Sequence, residues 1–249
     1  MTNKPEIVVA PDAETVASMA AQRIVEAAAA AIAARGRFTL ALAGGRTPEA
    51  TYQILAQANP PHAVDWSKTF LFFGDERFVP HDDARSNFAM AKRCLLSRAM
   101  IPVKNVFPIA TDLENPATSA ADYSRRLAEF FEAAQDGAPP ALDLILLGLG
   151  DDGHTASLFP GAEALGEDNA WMTWSPPGVL PPPVDRVTMT YPLINAARGV
   201  MFLVTGANKH EPLMEILQLR AKVADRPAAG VRPTEGDLTW IIDHAAAGG

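Results

Sequence analysis

The stretch LDLILLGLGDDGHTASLFPG, residues 142–161, decides the reading of the fold: it opens as an apolar run and breaks into glycines, two aspartates and a histidine. A strand apolar at successive positions has no wet face, which is what a parallel sheet covered by helices requires. Working outward, FTLALA (38–43), TFLFF (69–73), VMFLVT (200–205) and LTWII (238–242) read the same way. Helical patterns near 12–35, 48–58, 86–100, 116–134 and 209–220 lie between them. This βαβ succession predicts an open α/β sheet, in which ligands bind beyond the carboxyl ends of the strands.

With 249 residues, 48% of them hydrophobic and 20% charged, the chain can bury a large core, and no Pro/Ser/Gly-rich linker divides it. One domain over residues 1–249 is therefore expected. A formal charge of -8 without a long Lys/Arg cluster argues against nucleic acid and anionic membranes as partners, so an anionic ligand needs a local site. The single cysteine, Cys94, has no intramolecular partner, and MTNKPEIVVAPDAETVA lacks a signal-peptide profile, so a cytoplasmic protein is expected. AAAAAIAA (27–34) is too short for a membrane span and reads as part of a packed helix stopped by Gly36.

Four strand ends carry chemistry. After the first come Gly44, Gly45, Arg46, Thr47 and Pro48, with Thr47 expected as N-cap and Pro48 as the first helical residue. Free N–H groups at such a helix start suit a phosphate, and a tight capped turn is the competing reading. The second end reads GDER, bringing Asp75, Glu76 and Arg77 directly after an apolar strand, with Ser86 and Asn87 at a helix start further on. The third is the opening stretch. Its Gly148, Gly150 and Gly153 spell GxGxxG, and Asp168 lies where a ribose-binding acid belongs. The dinucleotide context fails, because Pro160 and Gly161 cut off any helix and AEALGEDNA is not a strand.

The glycines instead give a crowded turn room to gather Asp151, Asp152 and His154. An aspartate two positions from a histidine can fix its tautomer, as a general base requires. No second His or Cys lies nearby at ligand spacing, so no metal is expected, and no GxSxG motif signals a serine hydrolase. The fourth end offers Gly206, Asn208 as N-cap, and Lys209 in a first helical turn, where the helix dipole disfavours a cation unless it faces an anion. Arg186 is a further candidate positive charge, and SPPGVLPPPVDR (175–186) a candidate rim.

LALAGGRTPEATY, FFGDERFVPHDDARSNF, LILLGLGDDGHTASLFPG and VTGANKH, taken in order, resemble the 6-phosphogluconolactonases. The resemblance implies a Rossmann-like, mostly parallel sheet with helices on both faces, no metal or organic cofactor, and hydrolysis of 6-phospho-D-glucono-1,5-lactone. It makes His154 catalytic with Asp152 in support, and Gly44, Gly45, Arg46, Thr47 and Lys209 the phosphate site. Asp75, Arg77, Asn87 and Arg186 complete the candidate substrate contacts, with Arg77 or the N–H groups of 150–153 as oxyanion stabilisers. Two rivals remain: a glucosamine-6-phosphate deaminase, whose family carries a glutamate five positions after the histidine where this chain has Phe159, and a non-catalytic sugar-phosphate sensor on the same fold.

Overall fold

The protein's structure, a computed structural model, describes residues 4–57, 63–134, 137–178 and 183–249. In chain order the strands are β1 (Glu6–Ala10), β2 (Phe38–Leu42), β3 (Thr69–Phe73), β4 (Asp75–Arg77), β5 (Leu144–Gly148), β6 (Met172–Ser175), β7 (Arg186–Met189), β8 (Gly199–Val204) and β9 (Asp237–Asp243). The helices are α1 (Ala13–Arg35), α2 (Arg46–Gln57), α3 (Asn87–Ala91), α4 (Pro116–Phe131), α5 (Tyr191–Asn195), α6 (His210–Leu217) and α7 (His244–Ala247). Six strands form a sheet in the order β1-β9-β8-β5-β2-β3, every described pairing parallel.

The expected two-faced burial is met: every residue of β2 is buried, as are the first four of β5 and the last five of β8. Adjacent residues of β3 point to opposite faces. Phe72 accordingly meets Phe130 and Phe131 of α4, while Phe73 meets Phe88 of α3, so both faces carry helices. Helix α1 starts at Asp12, whose carboxylate accepts from Thr15 N–H, and ends at Gly36 with φ +73°. Gly36 thus stops the helix as expected, since a left-handed C-cap favours a residue without Cβ. At 23 residues α1 is long and apolar enough to cross a membrane by composition. Its buried residues Val16, Ala17, Ala20, Ala21, Ile24, Ala28 and Ala31 instead pack into the core, where alanine lets a helix approach a sheet closely.

Three features depart from the sequence reading. β1 was not foreseen: it is an edge strand with Ile7 and Val9 about half exposed, so it lacks the two-faced apolar pattern. A second, antiparallel sheet, β4-β7-β6, stands beyond the ends of the main strands. Its members are three or four residues long, too short to show periodicity. The helix expected over 86–100 is α-helical only to Ala91 and continues as a π-helical turn over Lys92–Leu96.

Candidate active site

From β2 the chain moves outward to β3 and later returns to β5 on the other side of β2, which makes the gap beyond β2 and β5 the switch point of the sheet. A cleft of about 490 Å³ opens there, lined from all four expected strand ends. Gly44, Gly45, Arg46, Thr47, Asp75, Arg77, Asn87, His154 and Lys209 all face it. Tyr52 helps to end β2 at this point: its hydroxyl donates to Ala43 O and accepts from Ala43 N, both at 2.9 Å. A side chain there takes the place of the next ladder partner.

After β5 the chain makes a tight turn and no helix, as the rejection of the dinucleotide motif requires. Gly150 N donates to His154 O at 2.8 Å and Gly153 N to Gly150 O at 3.0 Å. His154 Nδ1 lies 2.5 Å from Asp152 Oδ1, which also accepts from His154 N at 3.1 Å. An ionised carboxylate only accepts, so Nδ1 carries the proton and Nε2 is left with a free lone pair. Burial pushes the Asp152 carboxyl up, but its hydrogen bonds and attraction to His154 prevail and hold it below the usual range. Asp152 Oδ2 is buried with no hydrogen-bond partner among the described residues, which leaves negative charge beside the ring.

The glycines have specific work here. A Cβ on Gly150 would stand 2.0 Å from His154 Nδ1, and one on Gly153, whose φ is +83°, would stand 2.4 Å from Arg226 Cδ. Arg226 also donates from Nη1 to Asp152 O at 3.3 Å and from Nε to Glu215 at 2.6 Å, bracing the turn from behind. Sequence reading missed Arg226, which lies 74 residues from Asp152 and has no local pattern.

At the β3 end the three consecutive charges are not a solvated loop. Asp75 is 7% exposed; its Oδ2 accepts from Ser157 Oγ at 2.7 Å and its Oδ1 from Asn87 Nδ2 at 3.1 Å. Glu76, 1% exposed, accepts from the N–H groups of Arg77, Asn87 and Phe88 and from Ser86 Oγ, so it anchors the start of α3. Burial pushes its carboxyl up against those four hydrogen bonds. Ser86 is the N-cap expected there, and Asn87 reaches Gly44 so closely that a Cβ on Gly44 would meet Asn87 Oδ1 at 2.1 Å. Arg77 extends into the cleft with Nη1 on Arg85 O at 2.6 Å.

The glycine loop after β2 carries one correction. α2 begins at Arg46, and Glu49 N donates to Gly45 O, so Gly45 and not Thr47 ends the loop. Pro48 is the third helical residue instead of the first, which costs nothing because first-turn N–H groups have no intrahelical acceptor to lose. Gly45 has φ +113°, open to glycine, and Thr47 Oγ1 pairs with Thr205 Oγ1 at 2.8 Å, joining the ends of β2 and β8. Asn208 and Lys209 belong to a 3-10 turn, Ala207–Lys209, ahead of α6, so Asn208 caps no helix. The anion that Lys209 faces is the chain's own: Lys209 Nζ and Asn208 Nδ2 both donate to Asp151 Oδ1.

Arg186 does not line the cleft. It is 3% exposed on β7, donates from Nη1 to Val184 O at 2.6 Å, and its Cζ stands 6.0 Å from the Phe159 ring. Phe159 in turn packs on His154 with ring centroids 4.9 Å apart. Burial and the nearby Arg77 pull the Arg186 guanidinium below its usual value. Of the proline-rich candidate rim, residues 179–182 lie outside the described residues. Among the described residues no group of three or more His, Cys, Asp or Glu is placed to hold a metal ion.

Residues 11–240 match the family model described as glucosamine-6-phosphate isomerases/6-phosphogluconolactonase. The chain is 41% identical over 243 residues to a 6-phosphogluconolactonase of Nostoc sp., covering 98% of this chain and 97% of that protein. The solved 6-phosphogluconolactonase of Trypanosoma brucei superposes with a TM-score of 0.89 at 33% identity, covering 100% and 99% of the two chains. A monomeric glucosamine-6-phosphate deaminase shares the fold, at a TM-score of 0.81 and 19% identity over 98% and 99%.

Proposed function

The chain belongs to the glucosamine-6-phosphate isomerase and 6-phosphogluconolactonase family, and from that premise we propose that the His154–Asp152 pair carries its chemistry. It is a lactone hydrolase of the oxidative pentose phosphate pathway, converting 6-phospho-D-glucono-1,5-lactone to 6-phospho-D-gluconate. The single observation that supports the proposed roles is the 2.5 Å contact of His154 Nδ1 with Asp152 at the switch-point cleft.

His154 Nε2 takes a proton from water as its oxygen bonds to the lactone carbonyl carbon. The tetrahedral intermediate then collapses, the bond to the ring oxygen breaks, and His154 returns the proton to that oxygen. Asp152 keeps the tautomer and stabilises the imidazolium between the two transfers. Arg77, which lines the cleft, or a backbone N–H group of 150–153 stabilises the oxyanion; within that stretch the N–H groups of Gly150 and Gly153 are already engaged inside the turn. Lys209 and the N–H groups at the start of α2 hold the phosphate, fixing the sugar away from the reacting carbon. A cytoplasmic setting fits a chain whose one cysteine, Cys94, is buried and unpaired.

Phe159 occupies the position five residues after the histidine, so a deaminase glutamate has no counterpart there. The test is turnover on freshly generated 6-phosphogluconolactone, corrected for spontaneous hydrolysis, beside glucosamine 6-phosphate. Accelerated lactone opening without ammonia release is expected. Ammonia release, or binding without turnover, would overturn the reading in favour of the deaminase or the sensor respectively.

A further inference from the structure

Asp151 lines the cleft, yet the hydrolysis gives it no task. Its carboxylate meets Lys209. Asn208 Nδ2 donates to the same Asp151 oxygen at 2.7 Å. The Asp151 side chain is 49% exposed and that of Lys209 only 19%, so the carboxylate covers the lysine from the solvent side of the cleft. The cation best placed for an incoming phosphate is thus neutralised before the ligand arrives.

We infer that Asp151 is an internal counter-anion that holds Lys209 and yields it to the substrate's phosphate, so that this exchange grades ligands by charge. The inference rests on Lys209 being a phosphate ligand. A neutral hydroxyl cannot replace a carboxylate on an ammonium group, and it would strand both ions. A singly charged anion exchanges like for like. A phosphate dianion does better, because the positive end of α2 beside Gly45 and Arg46 adds to the attraction. Lys209 holds the Asp151 carboxyl below its usual range, so the exchange is of one anion for another and moves no proton. When product leaves, Asp151 retakes Lys209, and release of a ligand that now carries an extra carboxylate is eased.

Calorimetric titration with inorganic phosphate tests this without any turnover. Asp151→Asn keeps the shape and an oxygen acceptor while removing the charge. It should bind phosphate about three- to fivefold more tightly than the parent chain, the upper part of the range for an exposed ion pair. In a Lys209→Met background the same change should give a gain of less than about twofold. Asp151→Ser provides a second neutral variant, and thermal melting confirms that each chain is folded. Unchanged or weaker binding in both neutral variants would overturn the exchange, as would an equal gain in both backgrounds, which would mean simple repulsion. If Lys209→Met by itself leaves phosphate binding intact, the assignment of Lys209 as phosphate ligand falls first.

Discussion

At the His154 turn several groups find their partners within the turn: Gly150 and Gly153 N–H, the imidazole Nδ1 and one oxygen of Asp152 are all paired a few residues away. Across the cleft, the start of α2 keeps first-turn N–H groups that no intrahelical acceptor can satisfy, and Lys209 is tied only to a half-exposed carboxylate. The first region is tied together by its own hydrogen bonds, which suits the proton transfer proposed for it. The second keeps donors available, which suits the phosphate proposed for it. One consequence is that damage to the turn should appear in kcat and damage to the anion seat in KM.

The largest effect tests the turn directly. His154→Ala should lower kcat by about 10²–10⁴ in a folded chain, the range for a positioned proton transfer. Adding Asp152→Asn should do little more if the pair acts as a unit. Near-native kcat in folded His154→Ala would remove the histidine from the mechanism. Next in size is Gly150→Ala, whose Cβ would fall on the imidazole. Displacing a catalytic group by about 1 Å costs on the order of 10²-fold, so kcat should fall with KM nearly unchanged. A rise in KM alone would show that the two regions are not separable.

The anion seat should respond in the opposite way. Lys209→Ala should raise KM for the phosphorylated lactone by roughly 10- to 100-fold, from the loss of a charged hydrogen bond of about 1.5–3 kcal/mol. Unphosphorylated gluconolactone should scarcely notice, and equal losses on both substrates would erase the distinction. A smaller effect concerns stability. The Asp152 carboxyl is held below its usual value, so its contribution is present above the ordinary carboxylate range and is lost as pH falls through the lowered value. The difference in Tm between the parent and Asp152→Asn should therefore shrink on acidification below about pH 4. Smallest of all, prolonged EDTA treatment should leave turnover unchanged; loss restored by Zn²⁺ would replace the histidine base with a metal-bound hydroxide.

The five buried strands were legible because burial on both faces leaves a continuous apolar run in the sequence. The four strand ends that line the cleft followed from them, since a parallel sheet presents its loops on one edge. What stayed hidden depended on contacts between distant residues. Ser157 on Asp75 and Arg226 behind Asp152 are pairings 82 and 74 residues apart, and neither leaves a local period. Arg186 carried the right charge for the cleft but sits on a short strand whose register against Arg77 could not be read. Lys209 was expected to face an anion, and nothing in VTGANKH says that the carboxylate it meets in the chain is Asp151.

Tyr52 bears on how the site comes to exist. Its hydroxyl serves both backbone groups of Ala43, nine residues earlier, so the end of β2 and the start of α2 are shaped by a short-range contact. Closing a loop of that length takes about 10–100 ns, far less than assembling long-range parallel strands. The loop at the start of α2 is thus shaped by a single β-strand and its following helix, whereas Lys209 reaches the same cleft only from the far end of β8. One half of that cleft wall is a local construction, and the other waits on the long-range pairing of the sheet.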